Sequence, residues 1–204
     1  MLKVARILGI DVQIHFSMLF SLLFFTWVLG PLIKNQMLAP YNDLFSNINA
    51  VSWILGFVCA VLIFICVLLH EFAHSIVAKM YGLEINGITL FALGGVSHIG
   101  APSAGDNSPM RALVISFVGP LSSAFIGATL FLFSITVWDL LSDLSKSYYV
   151  GADVVITYLI IVNFAIAVFN MIPIFPLDGG RVATSLIQIF GVRRITSRKV
   201  VNKL

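Results

Sequence analysis

Charge is what this 204-residue chain has least of: Asp, Glu, Lys and Arg make up 10% of it, against roughly 25% in an average soluble domain. A globule of this size needs a polar skin, and its 12 basic and 9 acidic residues cover it poorly. With 59% apolar residues and a mean hydropathy of +1.03, much of the chain has lipid as its solvent. A soluble cytoplasmic domain, a disordered chain and a collagen-like fibre are excluded. Cysteine is also scarce. Cys59 and Cys66 stand seven apart, about 10 Å along a helix axis, too far for a disulfide and without CxxC spacing, so both read as small buried apolar groups. Internal repeats and low-complexity tracts are missing. The net charge of +3 points to loop charges that orient a membrane protein, with no nucleic-acid partner.

Apolar runs of membrane length are present at about 14–33, 50–80, 111–138 and 153–174. The first follows Lys3 and Arg6 as a signal peptide would, yet no small-x-small cleavage site precedes Lys34, so it reads as a retained helix. Four spans put Lys3, Arg6, Lys79, Arg111, Arg181, Arg193, Arg194, Arg198, Lys199 and Lys203 on one side, and Lys34 and Lys146 on the other. By the positive-inside rule both termini are cytoplasmic. The predicted class is an α-helical polytopic membrane protein with about four transmembrane helices. Residues 82–104 alternate apolar and polar from Ile85 to Leu90 and break at Gly94-Gly95, which predicts a short membrane-associated β-hairpin at about 84–100, between the second and third spans. Phe91, Leu93, Val96 and Ile99 argue against an exposed loop, and the backbone of such a hairpin must be satisfied within the protein or along a wet cavity. Residues 1–192 are expected to form the core and 193–204 a basic cytoplasmic tail.

Residues 70–74 read His-Glu-Phe-Ala-His. On a helix His70 and His74 lie about 40° apart, so both imidazoles reach one ion, and Glu71 is placed to take a proton from a metal-bound water. The pentapeptide alone is moderately specific. Its position inside an apolar span sharpens it, because ionisable groups there are expensive and mark function. A catalytic metal needs a third protein ligand and an open position. Asp178, in Asn170-Met-Ile-Pro-Ile-Phe-Pro-Leu-Asp-Gly-Gly-Arg181, is the leading candidate. Pro173 and Pro176 interrupt the helix, and Gly179 and Gly180 permit a sharp turn that aims the carboxylate inward. His98 is the rival ligand, and a surface ion pair between Arg181 and Asp178 is the plain alternative.

Together these segments resemble the site-2 protease family of intramembrane zinc metalloproteases. HEFAH matches its first metal motif and NMIPIFPLDGGR its second, while GGVSHI, SFVGPLSS and Gly9-Ile-Asp-Val-Gln-Ile-His15-Phe-Ser17 resemble other family segments in family order. The resemblance implies one zinc per chain held by His70, His74 and Asp178, Glu71 as catalytic base, and Asn170 as an active-site hydrogen-bond donor. Asn163 matches a common family asparagine, read here as interhelical packing. The implied activity is hydrolysis of peptide bonds within or near transmembrane segments, in regulated intramembrane proteolysis. The implied substrate is a membrane-spanning protein such as an anti-sigma factor, and the implied location is a bacterial or archaeal plasma membrane. The sequence does not specify an oligomeric state.

Two departures from the family stand out. Ser123 takes a position that is often Asn, expected to weaken that motif without touching the metal site. Residues 182–204 alone follow Arg181, with an apolar piece Val182–Val192 too short to span, so the chain is expected to be truncated or minimal. The competing function is an inactive, zinc-stabilised scaffold that binds partner helices, although a purely structural metal has no need of Glu71. A metal transporter would show pseudo-repeated halves, which are not visible.

Overall fold

A computed structural model of the chain describes the backbone of residues 1–92, 94–100, 108–136 and 146–201, and side chains among them up to Gly191 apart from 146 and 147. Leu93, residues 101–104, 137–138, 139–145 and 202–204, and the basic side chains of Lys146 and of the tail from Arg193 onward, all part of the reading above, lie outside that description.

Two strands open the chain, β1 (Leu2–Ile7) and β2 (Ile10–Ile14). Next comes α1 (Ser17–Leu32), which continues through a π-helical stretch, Ile33–Leu38, and a 3-10 stretch, Ala39–Leu44. The stretch between the first two apolar runs, 34–49, is therefore largely helical, and the first span reads as Ser17–Leu44. Pro31 lies inside α1 and removes a donor just before the helix loosens. Helix α2 (Ile48–Met80) is capped by Asn47, whose side chain accepts from the Ala50 amide at 3.1 Å. Strands β3 (Ile85–Phe91) and β4 (Gly94–Ile99) follow, then α3 (Pro109–Thr136), α4 (Lys146–Asn170) and α5 (Asp178–Val201). Four segments are long and apolar enough to cross a membrane, as predicted: Ser17–Leu44, Ile48–Met80, Pro109–Thr136 and Tyr148–Asn170.

The sheet departs most from expectation. In place of a lone hairpin it has four strands in the order β1-β2-β3-β4. Strand β2 pairs in parallel with β3, through Val12 with Ile88 and Ile14 with Leu90, across a connection that contains both α1 and α2. Strand β3 is thus interior, and β4 is an outer edge. The hairpin turn also falls earlier than the glycine pair: Phe91 already faces Gly94, and Gly94 begins β4 at φ +139°, a conformation that side chains other than hydrogen rarely adopt. Ile10, Val12 and Ile88 pack on Phe72 of α2, which seats the sheet against that helix. Away from the sheet, Leu29, Ile33, Leu38, Cys59, Val150 and Val154 form the apolar cluster joining α1 and its continuation to α2 and α4. Cys59 and Cys66 are buried and unbridged. Helix α4 ends at Asn170, before Pro173, and α5 begins at Asp178 and runs on past residue 193.

Candidate metal centre

Helical periodicity turns five positions of α2 in three directions. Phe72 faces the sheet core, while His70 and His74 face α3, and Glu71 and Ser75 face β4. The two histidines are fixed from behind. The Nδ1 of His74 donates to the main-chain carbonyl of Ile115 at 2.6 Å, and the Nδ1 of His70 lies 3.0 Å from the Ser123 hydroxyl. Each neutral ring with its hydrogen on Nδ1 then presents a bare Nε2 forward. Those nitrogens are 3.2 Å apart, and each is 3.1 Å from the same oxygen, Oδ2 of Asp178. Three acceptors facing one another at that range call for a cation. A tetrahedral ion about 2.0–2.1 Å from each ligand needs neighbours about 3.3–3.4 Å apart, close to the triangle observed. Among the described residues, these three form the one group of His, Cys, Asp and Glu side chains suited to hold a metal.

Glycine leaves the room. A Cβ on Gly119 of α3 would stand 2.2 Å from Nε2 of His74 and 2.8 Å from Nε2 of His70, so a hydrogen at this position lets the imidazoles into the groove. Gly179 and Gly180 serve a purpose other than the one expected. They lie in the first turn of α5, where a Cβ on Gly179 would meet Met171 and Ile172 backbone at 2.4 Å. Their bareness lets the start of α5 close against the backbone of the link that follows α4, from Met171 to Phe175, and that close fold delivers Asp178. Asp178 pairs with the two imidazoles, and the alternative ion pair with Arg181 is not formed.

Both His70 and His74 are buried, and with Glu71, Asn170 and Asp178 they line a cavity of about 820 Å³ walled largely by apolar side chains. Asn170 donates through Nδ2 to Ile166 O at 2.9 Å. Asn163, expected as packing, is fully buried and donates to Cys66 Sγ at 3.2 Å and Leu159 O at 2.8 Å, tying α4 to α2. His98 is outside the cluster, 2.9 Å from the Thr89 hydroxyl across the hairpin. Ser123 corrects the sequence reading: fully buried, it touches the candidate site through His70. Neither Ser123 nor Ser97, whose hydroxyl lies 2.7 Å from Oε2 of Glu71, carried a signal by spacing, because a serine distant in sequence has no periodic relation to its partner.

With this geometry, the similarities to known proteins are specific. The sequence pattern of peptidase family M50 matches residues 58–152 and 135–204. The chain is 30% identical over 194 residues to the zinc metalloprotease MJ0392 of Methanocaldococcus jannaschii, covering 92% of this chain and 45% of that protein. It is 31% identical over 183 residues to Rip3 of Mycobacterium tuberculosis, provisionally named a zinc metalloprotease, covering 88% and 42%. The chain spans less than half the length of these relatives. The solved site-2 protease of M. jannaschii superposes with a TM-score of 0.56 at 30% identity, over 93% of this chain and 72% of that one. The chain belongs to peptidase family M50, the family of the site-2 proteases.

Proposed function

We propose that this chain is an intramembrane zinc metalloprotease that hydrolyses peptide bonds within or near transmembrane segments of membrane-protein substrates. One observation carries the reading: Nε2 of His70, Nε2 of His74 and Oδ2 of Asp178 converge beside Glu71 in a single apolar-walled cavity. Two imidazoles and a carboxylate suit one zinc ion with a position left open, and the M50 relatives named as zinc metalloproteases support that choice. Bound there, zinc would supply Lewis acidity, lowering the pKa of a coordinated water toward about 7.

The chain's own residues do the remaining work. Oε1 of Glu71 accepts a proton from the attacking water and returns it to the departing amine. The Asn170 amide carries two hydrogens on Nδ2; one is given to Ile166, and the other is free for the substrate carbonyl oxygen as it gains charge. The outer edge of β4 offers unpaired backbone groups, so an unwound substrate segment adds there as a further strand beside the cavity. Of the two hairpin strands, β4 is the one with a free edge, because β3 is already paired on both sides. The distribution of basic residues supports a cytoplasmic position for both ends of this chain and for the site near the end of α2, and the family resemblance supports a bacterial or archaeal plasma membrane.

Protein purified in detergent is expected to hold about one zinc per chain by elemental analysis and to cleave a transmembrane-helix substrate. Glu71→Gln should keep the zinc and lose cleavage by about 10²–10⁴-fold. Absence of zinc from wild-type protein would overturn the reading, and zinc without cleavage would favour the scaffold.

A further inference from the structure

Glu71 is reached from the strand side by one hydroxyl, itself backed by a second. Ser97 of β4 lies 2.7 Å from Oε2 of the Glu71 carboxylate and 3.1 Å from its main-chain carbonyl. Behind it, the fully buried Ser75 hydroxyl donates to Ser97 Oγ at 3.1 Å. The order of donation is therefore Ser75 to Ser97 to the carboxylate, and each link polarises the next. Strand β4 comes close enough for this because residue 95 has no side chain: a Cβ on Gly95 would stand 2.7 Å from Cγ of Glu71 and 3.3 Å from Val67. An ionised carboxylate accepts at both oxygens and turns broadly about its last torsion. A fixed donor on Oε2 stops that turning and leaves Oε1 as the free basic oxygen.

We infer that Ser97 is a positioning residue for Glu71, holding the carboxylate at the angle a general base requires, with Ser75 fixing Ser97 in turn. The inference rests on the reading of Glu71 as the base. It also gives β4 a double part. The strand whose outer edge is free for substrate carries, two residues from the close approach at Gly95, the hydroxyl that aims the proton acceptor. Geometry of this kind acts on turnover more than on binding, since a misaligned base still leaves the cavity open.

Infrared difference spectra test this apart from activity. Subtracting the spectrum of a Glu71→Gln partner isolates the Glu71 carboxylate band in wild type, Ser97→Ala and Ser97→Thr, and few other carboxylates compete in a chain with 9 acidic residues. The band is expected to shift upward in Ser97→Ala, to return in Ser97→Thr, and to shift less in Ser75→Ala, with bound zinc unchanged throughout. In a cleavage assay kcat should fall about tenfold in Ser97→Ala, with KM within about twofold, and recover in Ser97→Thr. A band unmoved in Ser97→Ala, or moved equally in Ser97→Thr, would overturn the inference. Failure of wild-type protein to cleave would sink the protease reading instead, while the band still decides the role of Ser97.

Discussion

On the helical side of the cleft, each imidazole is gripped at both ring nitrogens, by α3 behind and by Asp178 in front. On the strand side, the half-buried Glu71 is tied at one carboxylate oxygen to Ser97 of a sheet edge. The helical side is packed to exclude variation, down to the missing side chain of Gly119. The strand side lies along an open edge. The difference separates two tasks: helices hold the donors that would set metal affinity, and the strand sets the group that would set rate. Substitutions on one side should therefore move one quantity and spare the other.

The sharpest way to break this division is on the helical side. Gly119→Ala drives a methyl into both imidazoles, and Asp178→Ala removes the shared oxygen. Each is expected to weaken zinc binding by more than about 100-fold, read by chelator competition. Ser123→Ala strips only the support behind His70 and should lower zinc affinity by about 10–100-fold, with cleavage restored at saturating zinc. Unchanged affinity in Ser123→Ala would mean that the Gly119 groove alone orients the ring. The N-terminal hairpin supplies the smallest effect. Lys3 meets Asp11 at 2.6 Å, with side chains 52% and 29% exposed, and Arg6 approaches the same carboxylate at 3.5 Å. An exposed pair with a second cation nearby contributes little, so Lys3→Ala should cost less than about 0.5 kcal/mol in unfolding measurements and leave zinc and cleavage untouched.

What the sequence revealed follows the same division. His70, Glu71 and His74 are neighbours on one helix, so periodicity alone aligned them, and Asp178 stood out as a carboxylate between helix-breaking prolines and a glycine pair. The four spans were legible from apolar length. The sheet was not. A bulge between Lys3 and Ala5 breaks the period of β1, and β2 finds its parallel partner only across two helices. Ile10-Asp-Val-Gln-Ile14 does alternate apolar and polar residues, a signal that could have revealed β2. The serines were hidden for another reason: Ser97 lies 26 positions from Glu71 and Ser123 lies 53 from His70, and no short-range rule connects such pairs. Gly179 and Gly180 drew notice, but a reading based on turns missed that their value lies in how closely two stretches of backbone meet.

One oxygen of Asp178 joins α5 to histidines 104 and 108 positions earlier. During synthesis α2 leaves the ribosome long before that oxygen exists. A chain with α2 already in the bilayer holds two imidazoles and a glutamate but no third donor. Hydrolytic competence on the proposed reading must then wait for the start of α5 to fold back on the link from α4 and seat beside α3. On that reading the order of the chain itself would act as a safety catch, keeping an unfinished enzyme from cutting the membrane proteins being inserted around it.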